Sequence, residues 1–435
     1  MKILNSVDNK KYELSGKTIA IYNCGPTVYN YVHIGNVRPL IIFDVLYRYL
    51  LKNNKKVAFY HNITDIDDKI INAAKQNNTT EQKISQKYTQ AYLDLFLILN
   101  IKKMEMPKVS DHIQDIITYI QNLINAGFAY VVRNDVYFDV MKIPNYGKIS
   151  HQNIKNLLNG VRKDNNENKR HPLDFVLWKA TNEGLSWNSP WGQKGRPGWH
   201  TECCVMINKY LGQQITIHGG GVDLKFPHHE NENAQNYALF KKDIAKYWMH
   251  VGHVNINGEK MSKSLNNFIL VKDIVNKDNA NGLRWFFYKT KYQHPLNFTV
   301  NNLNEAISEV NRLTDALAAA KTILLANKKF KNIQVPFDPE FIKAIEDDLN
   351  LPNALAQLSS MQKQLNILIR QMNFEDSLKV YMKLVQCLDV LGISLAKYEH
   401  DKHIDLINQW HEATLAKDYN AVDKYREQLK KVNLF

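Results

Sequence analysis

Two thiols, an imidazole and a carboxylate, widely separated along the chain, could together bind a metal ion. They are Cys24, Cys203, His228 and Glu232. Zinc favours thiolate and imidazole ligands in tetrahedral sets of about four and also accepts carboxylate. His228 and Glu232 would share a helix face, and Pro227 suits the first turn of such a helix. Because no compact pair of Cys-x-x-Cys motifs occurs, a second interpretation stays open, in which the cysteines are buried and the His–Glu pair is solvated.

A second group of residues could bind phosphate. His33 and Gly35 lie between a short apolar run, residues 18–22, and a long apolar-periodic segment, residues 37–51. A buried strand that leads into a helix opens a nucleotide-binding α/β unit, and the free N–H groups and dipole of the helix start favour anions. Cys24 follows the same strand. The pattern therefore predicts a metal ligand and a phosphate ligand in one loop.

Two later strand ends also carry groups that could contact a substrate. Thr64 follows a strand predicted over residues 56–63, and His218 follows one predicted over residues 214–217. Three glycines come next and would permit close backbone approach to a ligand, and Asp223 could accept hydrogen bonds from ribose hydroxyls. Since ligands of open α/β sheets bind at the carboxyl ends of the strands, we expect these groups near the Cys24 loop.

The elements that must position these groups predict an α/β fold. We expect a Rossmann-like doubly wound parallel sheet, split by an insertion and followed by an α-helical C-terminal bundle. The insertion is predicted to hold a helix, two short strands and a charged loop, at residues 111–126, 129–132, 136–140 and 162–170. Helical periodicity in the C-terminal part covers residues 303–329, 341–348, 353–372, 374–391, 404–416 and 421–432.

Length and composition restrict the class of protein. A chain of 435 residues is too long for one core and predicts two to four domains. It has no apolar run of 18 or more residues, and its start lacks the apolar region of a signal peptide. Four cysteines are too few for a disulfide scaffold and fit a reducing compartment. We therefore expect a cytoplasmic protein that does not act in a membrane.

The formal net charge of +13 is consistent with a polyanionic partner, because clustered Lys and Arg attract phosphate backbones. The chain is rich in Lys, Asn and Ile throughout. Compositional drift therefore explains the charge as well as a binding face does.

The loop at residues 22–36 resembles the HIGH signature of class I aminoacyl-tRNA synthetases. The signature reads His33-Ile34-Gly35-Asn36 here, with asparagine where many family members carry histidine. The residues before it narrow the resemblance to cysteinyl-tRNA synthetases, since they read Cys24-Gly25-Pro26-Thr27. Later blocks that resemble the same family, in family order over nearly the whole chain, are residues 62–68, 195–204, 226–232 and the KMSKS loop, Lys260-Met261-Ser262-Lys263-Ser264.

This resemblance implies an ATP-dependent ligase that forms cysteinyl-AMP and pyrophosphate from L-cysteine and ATP, and then transfers cysteine to tRNA(Cys). It implies one Zn²⁺ per chain, with Cys24, Cys203, His228 and Glu232 as ligands, and Mg²⁺ with ATP. Serine differs from cysteine only by oxygen in place of sulfur, and an apolar pocket rejects such a near-isostere by only about a hundredfold. Zinc binds thiolate much better than hydroxyl, so the metal would select cysteine over serine. The residues implied around the amino acid are Gly25, Thr64, Trp199 and His218.

The resemblance also assigns the ATP site. His33 and Asn36 would hold phosphate oxygens, and Lys263 with Lys260 would neutralise charge on the leaving pyrophosphate. The implied ATP-binding set is His33, Gly35, Asn36, Asp223, Lys260, Ser262 and Lys263. Asn266 departs from the family's frequent glycine, which could change the loop's mobility without removing a charge. Cys204 and His229 are predicted to point elsewhere on a helix and to be either structural or supports of the metal ligands.

We expect five regions and a monomer. The regions are residues 1–105, the first half of the nucleotide-binding catalytic domain; 106–195, a connective insertion; 196–246, the second half with the zinc site; 247–310, the KMSKS loop and stem-contact region; and 311–435, a helical anticodon-binding region that is short at its end.

Two alternative functions stay open. One alternative is a relative that transfers the cysteinyl adenylate to a small amine. Another is a non-catalytic RNA-binding or zinc-stabilised protein, against which the joint presence of His33, Lys260 and Lys263 argues.

Overall fold

The computed structural model describes residues 1–152, 168–261 and 267–435, with Lys260 described by its backbone alone. The strands are β1 (Lys2–Asn5), β2 (Lys10–Glu13), β3 (Thr18–Asn23), β4 (Lys56–Tyr60), β5 (Ala129–Val132), β6 (Asp135–Phe138), β7 (Phe175–Ala180), β8 (Trp187–Ser189), β9 (Gly192–Pro197), β10 (Ile215–Gly221), β11 (Ala245–Val251), β12 (Val254–Ile256), β13 (Glu259–Lys260) and β14 (Leu296–Phe298). The α-helices are α1 (Ile34–Lys52), α2 (Asp68–Gln76), α3 (Glu81–Ile98), α4 (Ile113–Asn125), α5 (Glu202–Leu211), α6 (Glu230–Phe240), α7 (Val271–Ile274), α8 (Ala280–Tyr288), α9 (Val300–Ala326), α10 (Pro339–Glu346), α11 (Leu351–Arg370), α12 (Phe374–Val390), α13 (Ile404–Leu415) and α14 (Tyr419–Lys431).

A parallel sheet with the strand order β11-β10-β3-β4 positions the candidate site. β3 and β10 lie side by side, with His218 opposite Tyr22 and Gly219 opposite Asn23. The chain proceeds from these two strands towards opposite edges of the sheet, so their carboxyl ends form the switch point at which ligands of such sheets bind. The doubly wound parallel sheet predicted from the sequence is confirmed.

Two strands of this sheet differ in length from the prediction. β4 ends at Tyr60, three residues early, and β10 continues through the three glycines that were predicted to follow it. A Cβ added to Gly219 would lie 2.0 Å from the carbonyl oxygen of Met249 and 2.6 Å from the ring of Phe43. Glycine at this position is therefore required by the packing of β10 against β11 and α1.

Helix α1 crosses the sheet and is buried at most positions along its length. It packs against β4, β10 and β11. A helix that is apolar on nearly all sides is stable only when it is covered on all sides, which explains the long apolar segment in the sequence. Its burial fixes the helix start, where His33 is the N-cap residue, beside the end of β3.

The insertion carries its own antiparallel sheet, in the order β5-β6-β7-β9-β8. Sequence analysis predicted only β5 and β6, because β8 is short and β9 consists largely of glycine and charged residues. Helix α4 covers residues 113–125, close to its predicted limits. Most of the predicted charged loop, residues 162–167, lies outside the described residues.

The α-helical C-terminal region predicted from the sequence is confirmed, with small shifts of the helix ends. Helix α9 begins at Val300 because Thr299 caps it, accepting from the backbone N–H of Asn302. Helix α10 likewise begins at Pro339 after the cap Asp338. None of the helices in the described part of the chain combines the length and apolar character that spanning a bilayer requires.

A buried ion cluster ties α1 to the helical region. Asp44 accepts from Arg48 Nε at 2.9 Å and also pairs with Arg284 Nη2, and all three side chains are buried. Arg284 Nε donates to the carbonyl oxygen of Leu391, and Arg48 Nη1 donates to that of Asp389. One carboxylate thus balances two arginines that hold the end of α12 against α1.

Candidate metal and nucleotide site

The donor atoms of Cys24, Cys203, His228 and Glu232 lie within 4.8 Å of one another beside the ends of β3 and β10. The two sulfur atoms are 3.7 Å apart, Cys24 Sγ is 3.7 Å from Glu232 Oε1, and Cys203 Sγ is 3.8 Å from His228 Nε2. Donor atoms bonded at about 2.0–2.3 Å to one tetrahedral zinc lie about 3.3–3.8 Å apart. Both thiols are free. The donor types and their spacing therefore fit a zinc ion.

An ion pair lies inside this cluster. His228 Nε2 and Glu232 Oε1 are 2.9 Å apart, and both side chains are almost fully buried. Burial lowers the pKa of His228, but the Glu232 carboxylate outweighs it and raises the pKa to about 10. Burial raises the pKa of Glu232, but His228 and His218 bring it well below its usual value. The His228 proton neutralises the carboxylate, and a dication among these donors would replace that proton.

The pKa values of the two thiols are shifted in opposite directions. Burial raises the pKa of Cys24 well above that of a free thiol, and the neighbouring Cys203 raises it further. Burial also raises the pKa of Cys203, but hydrogen bonds from Cys24 and His228 outweigh that effect and lower it to about 7. Cys24 is therefore the donor and Cys203 the acceptor in their contact. A thiolate formed near neutral pH is the form of cysteine that binds metal.

The predictions for Cys204 and His229 have different outcomes. Cys204 does point away, since its sulfur contacts the carbonyl oxygens of His200 and Glu232. His229 does not point away, because its Nε2 lies 3.4 Å from Cys24 Sγ, and this contact with a predicted ligand agrees with the supporting role predicted for it. Residues Lys225–His229 contain a kink before α6, because Phe226 is extended with φ −138° and ψ 132°. Both His228 and His229 are buried in this segment.

A cavity of about 420 Å³ connects the cluster to the start of α1. Its lining includes Cys24, Gly25, Trp199, His33, Asn36 and Asp223. The ring of Trp199 stacks on that of His228, with the centroids 4.3 Å apart, and its side chain is 38% exposed. The cavity is thus lined both by one of the metal-type donors, Cys24, and by predicted phosphate-binding residues.

Thr64 and His218 are buried and are not among the cavity's described lining residues. Thr64 Oγ1 donates to Glu202 Oε2 at 2.9 Å. His218 lies between the carbonyl oxygen of Tyr22 and Glu232 Oε2, at 3.0 and 2.6 Å. The predicted role of both residues beside the amino acid stays a prediction.

Sequence analysis missed three residues that shape the cavity. Asn62 Oδ1 accepts from the Gly25 backbone N–H at 2.8 Å and holds the loop after β3. Glu202 is buried, and burial raises the pKa of its carboxyl group well above the usual value. Lys69 lies 5.9 Å from the Trp199 ring and lines the cavity. Asn62 and Glu202 had a sequence signal, because they lie within the motif blocks at residues 62–68 and 195–204.

We expect a Gly25→Ala substitution to disrupt this end of the cavity. A Cβ on Gly25 would lie 1.6 Å from the backbone carbonyl oxygen of Asn62, so the two loops must separate. The expected result is a fall of at least about tenfold in the apparent affinity for the amino acid, together with a lower melting temperature, because such overpacking typically costs 1–3 kcal/mol. Calorimetry and substrate-dependent thermal shift measure both effects.

Gly212→Ala is the control for this prediction. Gly212 has a φ of 89° and open space around its Cβ position. Alanine there is strained but remote from the site, so stability should fall without a change in amino-acid binding. Equal binding losses in the two variants would show that the Gly25 contact is not specific to the cavity.

The phosphate-binding end combines a helix start with polar side chains. Asn36 is exposed, and its Oδ1 accepts from the His33 backbone N–H at 3.1 Å. The side-chain N–H groups of Asn36 can therefore donate to a ligand. A Cβ on Gly35 would lie 2.8 Å from Met261 Cε and 3.1 Å from the His33 ring. Glycine therefore keeps the backbone of this turn accessible. Asp223 is exposed at the opposite wall.

The KMSKS loop is described only in part. Lys260 lies in β13, and its backbone pairs with that of Asn255 in β12. Ser262 and Lys263 lie outside the described residues. Their predicted roles towards ATP stay predictions.

Two protein families match the chain. The family described as tRNA synthetases class I (C) catalytic domain matches residues 10–308, and the DALR domain family matches residues 340–396. Among solved structures, the chain is similar to a Mycobacterium tuberculosis methionyl-tRNA synthetase in complex with methionyl-adenylate, with a TM-score of 0.61 and 12% identity over 91% of this chain and 94% of that one. At that identity, the likeness shows the fold.

Curated relatives match over nearly the full length. A cysteine–tRNA ligase of Malacoplasma penetrans is 48% identical and one of Ureaplasma parvum is 47% identical, each over 99% of both chains. One of Anoxybacillus flavithermus is 42% identical over 100% of this chain and 97% of its own. Together with the catalytic-domain match, these identities show that the chain belongs to the class I aminoacyl-tRNA synthetases, in the family of the cysteine–tRNA ligases.

Proposed function

We propose that the chain activates L-cysteine with ATP to form cysteinyl-AMP and pyrophosphate, and then transfers cysteine to tRNA(Cys). The observation that carries this proposal is the single cavity that joins a zinc-type donor cluster to a helix start. Cysteine brings a thiol and a carboxylate, and ATP brings the phosphate that the carboxylate attacks. The cavity thus offers metal-type donors suited to the thiol of cysteine and a helix start suited to the phosphate of ATP.

The proposed metal ligands are Cys24, Cys203, His228 and Glu232. A zinc ion bound there supplies a Lewis acid that ionises the substrate thiol near neutral pH and binds it far better than a hydroxyl. His218 orients Glu232 through a 2.6 Å contact, and Trp199 covers the His228 ring. These supporting contacts hold the donors in place and narrow the volume left for the amino-acid side chain.

The proposed phosphate-binding groups act by position and charge. Phosphoryl transfer needs little covalent participation from the protein, so the main task is to hold ATP and stabilise the charge that develops. His33, the backbone at Gly35 and the Asn36 amide would hold phosphate oxygens, and Asp223 would accept from ribose. Ser262 and the cations of Lys260 and Lys263 would contact the pyrophosphate, with Mg²⁺ as the partner of ATP.

An isotope-exchange assay tests the activation step. With zinc-loaded protein, ATP–pyrophosphate exchange should depend on cysteine and be far more than about a hundredfold weaker with serine, because about a hundredfold is the limit that an apolar pocket alone reaches. One zinc per chain should be found by metal quantification. Absence of exchange from zinc-loaded protein would refute the proposal. A second assay decides the acceptor, since labelled cysteine should appear on tRNA and not on a small amine.

We expect tRNA binding to depend strongly on salt. The chain carries a formal net charge of +13, and a protein that neutralises several phosphates releases the counterions condensed on them. Affinity should therefore fall by at least about tenfold between 50 and 200 mM salt. Filter binding or fluorescence anisotropy measures the affinity for tRNA, and cysteine binding at the same salt concentrations is the control. An affinity for tRNA that does not change with salt would argue against a dominant phosphate contact.

A further inference from the structure

Lys69 places a positive charge at the rim of the cavity. It follows Asp68 in the first turn of α2, where the Asp67 side chain accepts from the Lys69 backbone N–H at 2.7 Å. The Lys69 side chain is exposed and lines the cavity. Of the described residues in that lining, Lys69 alone is a lysine or an arginine. A negatively charged group that enters past this rim therefore meets its ammonium group.

The carboxylates next to Lys69 in the sequence have other partners. Asp68 pairs with Lys179 Nζ at 3.1 Å and with Arg196 Nη2, and both cations come from the antiparallel sheet of the insertion. Asp67 Oδ1 accepts from the backbone of Lys69 and not from its ammonium group. Within the described ranges of the chain, no carboxylate forms an ion pair with Lys69 Nζ. The charge of Lys69 is thus not balanced by the acidic groups beside it.

Two aromatic rings hold the ammonium group of Lys69. Its Nζ lies 5.7 Å from the centroid of the Tyr29 ring and 5.9 Å from that of the Trp199 ring. Tyr29 lies in the loop after β3 and Trp199 in the segment before α5, and both line the cavity. A cation within about 6 Å of a ring centroid is attracted to the ring face but keeps its charge. The two rings therefore orient Lys69 without neutralising it.

The proposed reaction involves three kinds of anion that Lys69 could bind. They are the carboxylate of cysteine, the phosphates of ATP and the phosphodiesters of tRNA. The helix start at His33 and the lysines of the KMSKS loop are proposed for ATP. A cation fixed on the cysteine carboxylate would stabilise the attacking group before it reacts, and such ground-state binding does not speed the step. The phosphodiesters of tRNA are therefore the anions that suit Lys69 best.

The acceptor end of a tRNA is single-stranded, and its terminal ribose must reach the adenylate inside the cavity. The strand therefore has to pass the rim. Proteins bind single-stranded nucleic acid with cations that contact backbone phosphates and with aromatic side chains beside them. Lys69, Tyr29 and Trp199, whose side chain is 38% exposed, form such a combination at the rim.

We propose that Lys69, held by the rings of Tyr29 and Trp199, binds a backbone phosphate of the single-stranded 3′ end of tRNA when that end enters the cavity. Lys69 is then a substrate-binding residue of the transfer step. This inference rests on the proposed function, because it takes tRNA as the acceptor. It gives α2 a part in tRNA binding, separate from the helical C-terminal region that sequence analysis assigned to the anticodon.

Binding of an intact and a truncated tRNA tests the proposal. Dissociation constants are measured by fluorescence anisotropy for the parent chain, Lys69→Met and Lys69→Arg, with a tRNA(Cys) transcript and with one that lacks the single-stranded 3′ end. Loss of a hydrogen bond to a charged group typically weakens binding by at least about tenfold. We expect that loss for Lys69→Met on the intact transcript, near-parent affinity for Lys69→Arg, and equal affinities of all three proteins for the truncated transcript.

The salt dependence provides a readout that a merely structural role would not change. Each phosphate contact on a single strand contributes about 0.7 to the slope of log affinity against log salt concentration. Lys69→Met should therefore lower this slope by about 0.7 on the intact transcript. Parent-like affinity and slope in Lys69→Met, or an equal loss of affinity on the intact and truncated transcripts, would overturn the proposal.

Lys241→Met is the matched control. Lys241 is also exposed, and its Nζ lies over two aromatic rings, 4.3 Å from the centroid of Phe128 and 5.7 Å from that of Tyr237. It is not among the described residues that line the cavity. The substitution removes the same charge and the same kind of ring contact, so affinity and slope should stay close to the parent's. A loss equal to that of Lys69→Met would show that net charge causes the effect, and the proposal would fail.

Kinetics separate this inference from the proposed function. ATP–pyrophosphate exchange needs no tRNA, whereas transfer does. In Lys69→Met, kcat/KM for tRNA should fall at least about tenfold more than kcat/KM for cysteine in exchange. An equal fall in both would assign Lys69 to the adenylate, so the inference would fail while the function stands. If the parent itself shows no cysteine-dependent exchange, the proposed function fails first.

Discussion

A Cys24→Ser variant is expected to lose zinc binding by more than about a hundredfold and to lose most of its preference for cysteine over serine. Cys24 Sγ contacts the sulfur of Cys203 at 3.7 Å and Glu232 Oε1 at 3.7 Å, so it has two neighbours in the donor cluster. A serine hydroxyl does not ionise near neutral pH and binds zinc weakly. Without the ion, discrimination depends on the shape of an apolar pocket, which reaches only about a hundredfold.

The measurement combines metal quantification with ATP–pyrophosphate exchange on cysteine and on serine. The ratio of the two exchange rates reports selectivity independently of how much active protein is present. A variant that keeps one zinc per chain and the parent's selectivity ratio would show that Cys24 is not a ligand.

Cys204→Ser is the matched control. Cys204 is fully buried and adjacent to Cys203, but its sulfur faces the carbonyl oxygens of His200 and Glu232. A serine hydroxyl can donate to the same carbonyl groups. Zinc content and selectivity should therefore stay at the parent's level, and a loss equal to that of Cys24→Ser would indicate general disruption of the site.

An Asp44→Asn variant is expected to lower the free energy of unfolding by about 3–5 kcal/mol. Asp44 is fully buried and is the carboxylate partner of both Arg48 and Arg284. Asparagine keeps the volume but removes the carboxylate that pairs with Arg284, and it leaves Arg48 with the half-exposed Asp389, whose Oδ1 lies 3.3 Å from Arg48 Nη1. Breaking a buried ion pair by removing one partner is costly for that reason. The first denaturation transition in urea or guanidinium, followed by circular dichroism, measures the loss.

Glu375→Gln provides the comparison for an exposed pair. Glu375 pairs with Lys379 at 2.8 Å, but its side chain is 83% exposed. Surface pairs of this kind contribute about 0–1 kcal/mol, so the transition should hardly move. If Asp44→Asn unfolds at the same denaturant concentration as Glu375→Gln, the buried cluster does not hold α1 to the helical region.

The sequence was sufficient for the fold class and for the residues that meet at the sheet edge. Strand and helix periods are local properties, and the rule that carboxyl ends of parallel strands share an edge converts them into spatial proximity. Cys24 and the segment of Cys203 could therefore be placed near each other although 179 positions separate them. The same rule brought the His33 turn to that edge.

The tertiary structure alone decided which other residues contact the predicted site residues. His229 lies against Cys24 after a kink at Phe226, and no hydrophobic period indicates such a kink. Ser6 and His250 meet across 244 positions through an edge contact of β11. Asp44 and Arg284 pair across 240 positions. A hydrogen bond between distant residues leaves no repeat in the sequence, and burial, which makes such a bond strong, is known only once the chain is packed.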